Sequence, residues 1–188
     1  MIILAVIFIA PVAGRCTLIG TLEIVDPYQA FTQGTDFVTF TSTYNLGVGD
    51  VKAPIQLVAS YGGGDADYTN FPIGSIALIQ RGSYYFSHKV NMAASYGAVG
   101  AIIYNSEGSD MPPEPRHAEA TTIPSLLVTY KLGMILIDLW ENEEGRYASR
   151  DVHLAVTESQ PIPEPATMLL LGAGLVGLAG LRRKFKKH

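Results

Sequence analysis

One cysteine, Cys16, stands in 188 residues, so no disulfide can close within this chain and no cysteine-based zinc cluster can form. Charge is scarce as well, 16% against 48% hydrophobic residues, a balance that excludes a disordered polyelectrolyte and leaves ample material for a core. Cations are rarest in the body of the chain. Five of the 13 Lys and Arg crowd the last seven residues, and without residues 166–188, which hold no acid, the net charge falls from −4 to −9. A body in which 17 acids outnumber eight cations repels phosphates, which argues against nucleic acid as a partner. Catalytic signatures are missing too. The four histidines, His88, His117, His153 and His188, form no His-x-x-x-His or His-Glu-x-x-His pair, and no Gly-x-Ser-x-Gly elbow occurs. "YGGGDADY" has glycines but lacks the lysine and following helix of a phosphate loop, and Asp65 and Asp67 offer too few oxygens for calcium.

Long apolar runs do occur, at the two ends. "MIILAVIFIAPVAG" is too short to span a bilayer and fits the apolar segment of an export signal, with small residues before a cut near Arg15. No Lys or Arg precedes it. Arg15 directly before Cys16 departs from a lipoprotein signal, where a small residue is expected. Residues 1–14 are therefore expected to be a signal peptide. At the other end Ala166–Leu181 is uncharged for 16 residues. As a helix it would be roughly 24 Å long, short of the ~30 Å of a hydrocarbon core. Arg182, Arg183 and Lys184 follow as a basic stop that would remain cytoplasmic. Pro161, Pro163 and Pro165 hold the preceding stretch extended and unpaired.

The order Pro163-Glu164-Pro165, apolar helix 166–181, basic tail resembles the PEP-CTERM sorting signal of Gram-negative bacteria. The resemblance covers 161–188. It implies transient inner-membrane insertion, recognition and cleavage by an exosortase-type enzyme, and delivery to the cell surface or extracellular matrix.

The middle alternates strand and helix. "PIQLVAS" (54–60) runs into the glycine-rich loop, Ser75–Gln80 reads as a buried strand, and Tyr84–Tyr96 has helical spacing. Phe86, Val90, Ala93, Ala94 and Gly97 share one face of that helix, with Ser87, His88, Asn91 and Ser95 on the other. Ala98–Asn105 is a second apolar strand, and a strand–helix–strand series predicts adjacent parallel strands. Residues 106–122 are polar and proline-rich, an exposed loop. Ile123–Val128 restarts a strand, Thr129 can cap a helix that turns Leu132, Ile135, Leu136 and Leu139 inward, and Asp151–Thr157 alternates inward Val152, Leu154 and Val156. "TLIGTLEIV" and "DFVTFTSTY" read as two earlier strands.

"GSIALIQRGSYYFSHKVNMAASYGAVGAIIYN" and "TIPSLLVTYKLGMIL" resemble the protease-associated (PA) domain, on Arg81, Gly82, Phe86, Lys89, Ala93, Gly97, Ala98, Tyr104, Asn105, Ile123, Pro124 and Gly133. The likeness is best over 51–156, within a domain taken as 15–160. It implies a mixed α/β fold, a β/β/α sandwich with crossover helices, to which the C-terminal transmembrane-type helix is added. Many members have a cysteine two residues after the Arg-Gly and a partner upstream; here Tyr84 stands in that place, and the bridge is absent.

The reading that follows is an exported protein-interaction or substrate-binding module, not an enzyme, with no cofactor and no metal. Its partners would be the sorting enzyme and a protein or peptide ligand. Arg81 and Lys89, flanking the first helix, and Arg116 and His117, in the 106–122 loop, are the candidate binding residues. Two other readings stay open: a small extracellular hydrolase with an unrecognised site, and a membrane-anchored structural surface protein.

Overall fold

A computed structural model describes residues 18–39, 47–108, 120–142 and 145–159, all within one compact unit, Thr17–Ser159. The export signal, Arg116, His117 and the whole sorting segment lie outside the described residues.

Eight strands form one sheet: β1 (Leu18–Ile24), β2 (Gln29–Ala30), β3 (Phe37–Thr39), β4 (Gly49–Leu57), β5 (Ile76–Gln80), β6 (Gly100–Tyr104), β7 (Ser125–Val128) and β8 (Asp151–Glu158). Their order is β2-β1-β8-β4-β5-β6-β7-β3. Strands β4, β5, β6 and β7 run parallel, as the strand–helix–strand pattern predicts, and β8 runs antiparallel between β1 and β4. The described residues thus form the mixed α/β fold expected, with a curled sheet and, among those residues, two helices, α1 (Phe86–Ser95) and α2 (Tyr130–Glu141). Among the described residues no helix is long and apolar enough to cross a membrane.

Strands β5 to β7 are continuous apolar runs because both of their faces are covered. Ile76, Leu78, Ile102, Leu126 and Val128 face the core shared with α2 and with Leu22, Val152 and Leu154. Ala77, Ile79, Ala101, Ile103 and Leu127 face Phe86, Val90 and Ala93 of α1. Each large aliphatic side chain so buried contributes about 1.5–3 kcal/mol. Strand β8 alternates as its sequence predicts, with Val152, Leu154 and Val156 inside. The Thr129 hydroxyl caps α2 by accepting from the Leu132 amide at 3.1 Å.

Three readings change. Strand β4 begins at Gly49, not Pro54, because β8 supplies partners for Gly49–Pro54 that local sequence does not reveal. Ser87 is buried at the start of α1, although helical spacing puts it on the outer face. Thr121 is buried rather than exposed, and its hydroxyl accepts from the Gly47 amide. The curl itself has no sequence signature. It brings β1 against β3, where Gln33 accepts from the Gly20 amide at 2.8 Å and donates to the Leu18 carbonyl at 3.2 Å. A Cβ at Gly20 would lie 2.8 Å from the Phe37 ring, so glycine is what lets the two ends of the sheet approach.

Candidate functional site

Ligands of parallel sheets gather outside the carboxyl ends of the strands, where loops are held by a rigid scaffold. In this body that pole is built from the segments following β4, β5 and β6. Past the strand ends the backbone stays tied: the Arg81 amide donates to Tyr104, Asn105 to Val128 and Thr129 to Asp36.

The glycine-rich loop after β4 is satisfied from within. The Asp67 carboxylate accepts from the amides of Gly63 and Gly64 at 2.9 and 3.1 Å, taking the place an outside anion would need. Tyr96 hydrogen-bonds Asp65, so both acids of "GGGDADY" serve the loop rather than a cation. Tyr68, on the 3-10 turn Asp65–Tyr68, is buried, stacks on Tyr96 at 5.0 Å and donates to the Gly62 carbonyl. Burial first, and the Asp67 charge second, push its pKa up.

Lys89 is the pin of this pole. Its side chain is 0% exposed, and the ammonium donates at 2.6 Å to two carbonyls, Tyr61 after β4 and Gln80 at the end of β5. Nζ also lies 5.5 Å from the centre of the Tyr61 ring. Burial pushes the lysine pKa down to about 8, with the Asp67 charge opposing. Lys89 therefore positions the loop from inside and does not present its charge at the surface.

Outside that pin, the two loops exchange rings for glycines. The Tyr61 ring covers Gly82, where an added Cβ would lie 2.1 Å from it, and the Tyr84 ring covers Gly63, where the figure is 2.0 Å. Tyr84 also stacks on His88 at 5.4 Å, and His88 meets the Gly63 carbonyl at 3.0 Å. A carbonyl only accepts, so Nε2 carries the proton. His88 is thus half-buried and engaged, not the solvated imidazole that the helix face suggests. Where the PA resemblance places a cysteine tied upstream, Tyr84 makes a packed contact with the upstream loop instead.

The exposed result is a platform of tyrosines beside a cation. Tyr61, Tyr84 and Tyr85 keep 42%, 47% and 65% of their surface open. Arg81, adjacent to the glycine under Tyr61, is half-buried and gives one Nη1 hydrogen bond to Asn105 at 2.8 Å, an oxygen that also accepts from the Ser106 amide. The guanidinium keeps further donors for an outside acceptor. Apolar ring faces next to a planar cation suit a peptide side chain and a carboxylate. The sequence signals for the tyrosines were the pairs "SYGGG" and "RGSYY", legible only once the glycines are known to lie under rings.

On the outer face of the sheet, far along the chain from this pole, His153 sits between two carboxylates: Nδ1 is 3.2 Å from Glu23 and Nε2 2.8 Å from Asp50. Burial disfavours its charge, but the hydrogen bonds and charges of Glu23 and Asp50 outweigh that and raise its pKa. The carboxylates approach opposite nitrogens, so the three cannot converge on one ion. Among the described residues no group of three or more His, Cys, Asp or Glu is placed to hold a metal.

Residues 51–136 match the model of the PA domain, and residues 161–184 match that of the PEP-CTERM protein-sorting motif. The chain carries both. The sorting motif marks an exported protein directed to the cell surface or extracellular space and implies processing by an exosortase-type enzyme. An aminopeptidase of Pseudomonas aeruginosa (strain UCBPP-PA14) is 42% identical over 80 residues, which cover 38% of this chain and 15% of that protein. A probable leucine aminopeptidase 2 of Aspergillus fumigatus is 40% identical over 83 residues, covering 43% and 16%. The solved structure of BSAP, a zinc aminopeptidase from Bacillus subtilis, has a TM-score of 0.58 at 22% identity, over 78% of this chain and 32% of that one, a likeness of fold. The chain thus spans only a small part of these relatives. They nonetheless overturn the expectation that the protein is not an enzyme: its similarity is to aminopeptidases, which points to a peptidase-related protein. The expectation rested on missing catalytic motifs, which test this chain's own residues and not the company its domain keeps.

Proposed function

We propose that this protein is a polypeptide-binding PA module allied to peptide hydrolysis and displayed at the cell surface after its tail is cut. The observation that carries the reading is the pole after β4 and β5, where Tyr61, Tyr84 and Tyr85 stand exposed beside Arg81 on loops pinned by a buried lysine. Rigid aromatic faces with an adjacent guanidinium favour a peptide segment that offers an apolar or proline side chain and a carboxylate. The aminopeptidase relatives support polypeptide as the ligand class. Arg81 serves as the direct contact and Lys89 as a positioning residue. Arg116 and His117 are proposed as further ligand contacts.

In this reading residues 1–14 direct export, 15–160 form the working body, and 161–188 hold the chain transiently in the inner membrane. Pro163, Glu164 and Pro165 are the segment recognised for cleavage, and Arg182, Arg183 and Lys184 the stop.

The test is fluorescence anisotropy with labelled hexapeptides that differ only in a free or an amidated C-terminal carboxyl group. Binding of the free acid, weakened about tenfold by Arg81→Ala, or ~1.4 kcal/mol, is the expected result. Equal binding of acid and amide, or indifference to Arg81→Ala, would remove the reading. Mass spectrometry of the same peptides records any cleavage.

A further inference from the structure

Arg81 owes its aim to one neighbour. It stands one residue past the end of β5, and Asn105 one residue past the end of β6, parallel strands whose last register pair is Gln80 with Tyr104. The backbone extends that pairing: the Arg81 amide donates to the Tyr104 carbonyl at 2.8 Å, and the Asn105 amide to Val128 at 3.1 Å. The Asn105 side chain is 2% exposed, and its Oδ1 accepts from Nη1 of Arg81 at 2.8 Å and from the Ser106 amide at 2.9 Å. Both partners can only donate, so the oxygen of the side-chain amide must occupy this place, and both its lone pairs are used. A half-buried guanidinium is thereby held on a fixed and neutral acceptor. Cations taken out of water are ordinarily paired with a carboxylate. Among the described residues no carboxylate pairs with Arg81. Asp67, the acid of the adjoining loop, is engaged by the amides of Gly63 and Gly64, and Glu107 is exposed to solvent.

We infer that Asn105 is the positioning residue that sets the charge specificity of this site: it orients Arg81 without neutralising it, so that the ligand's carboxylate supplies the missing counter-charge. This rests on the reading of the pole as a peptide site. The distinction lies between two side chains of one shape. An aspartate at position 105 would accept the same two bonds, but its charge would meet the guanidinium from inside the protein, and such a charge-assisted bond is the stronger. An incoming carboxylate would then find a neutralised pair and a like charge that repels it. With asparagine the protein supplies the geometry and leaves the charge open. Arg81 keeps N–H groups for a second acceptor. The rings of Tyr61, Tyr84 and Tyr85 add apolar contact that is indifferent to whether a peptide is charged. Asn105 touches Arg81 and not the ligand, and it acts on selectivity through the guanidinium it holds.

Anisotropy on the full-length protein tests this with three labelled hexapeptides. Two lack acidic side chains and end in a free or an amidated carboxyl group; the third is amidated but ends in glutamate, so that terminal and side-chain carboxylates are told apart. The parent is expected to prefer a carboxylate peptide over the neutral amide, and rising salt should weaken that preference. In Asn105→Asp the preference should shrink about fivefold or more, and its salt dependence with it. Asn105→Ser removes the holder but keeps the charge, so its preference should shrink by less and stay salt-sensitive. Urea unfolding reads whether each variant folds. An equal loss of affinity for charged and neutral peptides would make Asn105 merely structural and overturn the inference. So would an Asn105→Asp protein that prefers the carboxylate as strongly as the parent or, should that variant not fold, an Asn105→Ser protein that does. A parent protein blind to the carboxylate would instead bring down the peptide-site reading, and the inference with it.

Discussion

The ammonium of Lys89 and the carbonyl of Tyr61 meet at 2.6 Å inside the protein, joining the first helix to a loop 28 residues earlier. A second bond of equal length runs to Gln80. One buried side chain thereby fixes the two loops that carry the exposed tyrosines, and the surface chemistry depends on it.

Replacing that side chain with an apolar one of similar length should therefore loosen the pole. In Lys89→Met two buried carbonyls lose their donor, and a loss of about 2 kcal/mol is expected in urea unfolding. The pH dependence has a definite sign. With the folded pKa lowered to about 8 from 10.5, the unfolded chain binds more protons between those values. Stability of the parent protein should rise from pH 8 toward 10.5 relative to Lys89→Met, whereas a lysine charged at no cost would leave the difference between the two proteins independent of pH.

The ring-on-glycine contacts predict a different phenotype. Neither Gly63 nor Gly82 has the left-handed backbone that would strain alanine, so Gly63→Ala and Gly82→Ala act through the displaced rings of Tyr84 and Tyr61. Because those rings are half open they can swing aside, and the expected stability loss is within about 1 kcal/mol. Peptide affinity, which needs the rings in place, should fall several-fold in the anisotropy assay.

His153 predicts the opposite pH trend to Lys89. Its pKa is raised by Glu23 and Asp50 against the effect of burial, so its contribution is fully present below about pH 6.5. It is lost as pH rises through the raised value, when one nitrogen can no longer donate to a carboxylate. His153→Gln should flatten the fall in thermal stability between pH 6 and 8, and should not alter peptide binding at the distant pole.

Sorting has its own test. Glu164→Ala should leave full-length protein in the inner membrane, while the parent chain loses the mass of its tail. Unchanged mature mass and unchanged surface location in the variant would contradict cleavage at the proline-flanked glutamate.

Much of this architecture was legible because local pattern and tertiary environment agree. Alternation in 151–157, the apolar runs of β5 and β6, and the Thr129 cap all declare themselves within a few residues. What was hidden depends on partners distant in sequence. Gly49–Pro54 become strand only because β8 arrives 100 residues later, and Gln33 closes the sheet through contacts no motif encodes. Lys89 was visible as a helix-opening cation, but its burial was not, since a lysine at that spacing ordinarily reaches solvent. The tyrosine platform was missed because "RGSYY" reads as a turn until Gly63 and Gly82 are seen beneath the rings.

The central claim, that the pole bearing Arg81 and the tyrosines binds polypeptide, is tested most directly by amide chemical-shift mapping of the protein titrated with the free-acid hexapeptide. The account predicts saturable shifts concentrated at Tyr61, Gly63, Arg81, Gly82, Tyr84 and Tyr85, with Ile19, Asp50 and His153 unmoved. Shifts centred on β1 and β8, or none at millimolar peptide, would contradict it.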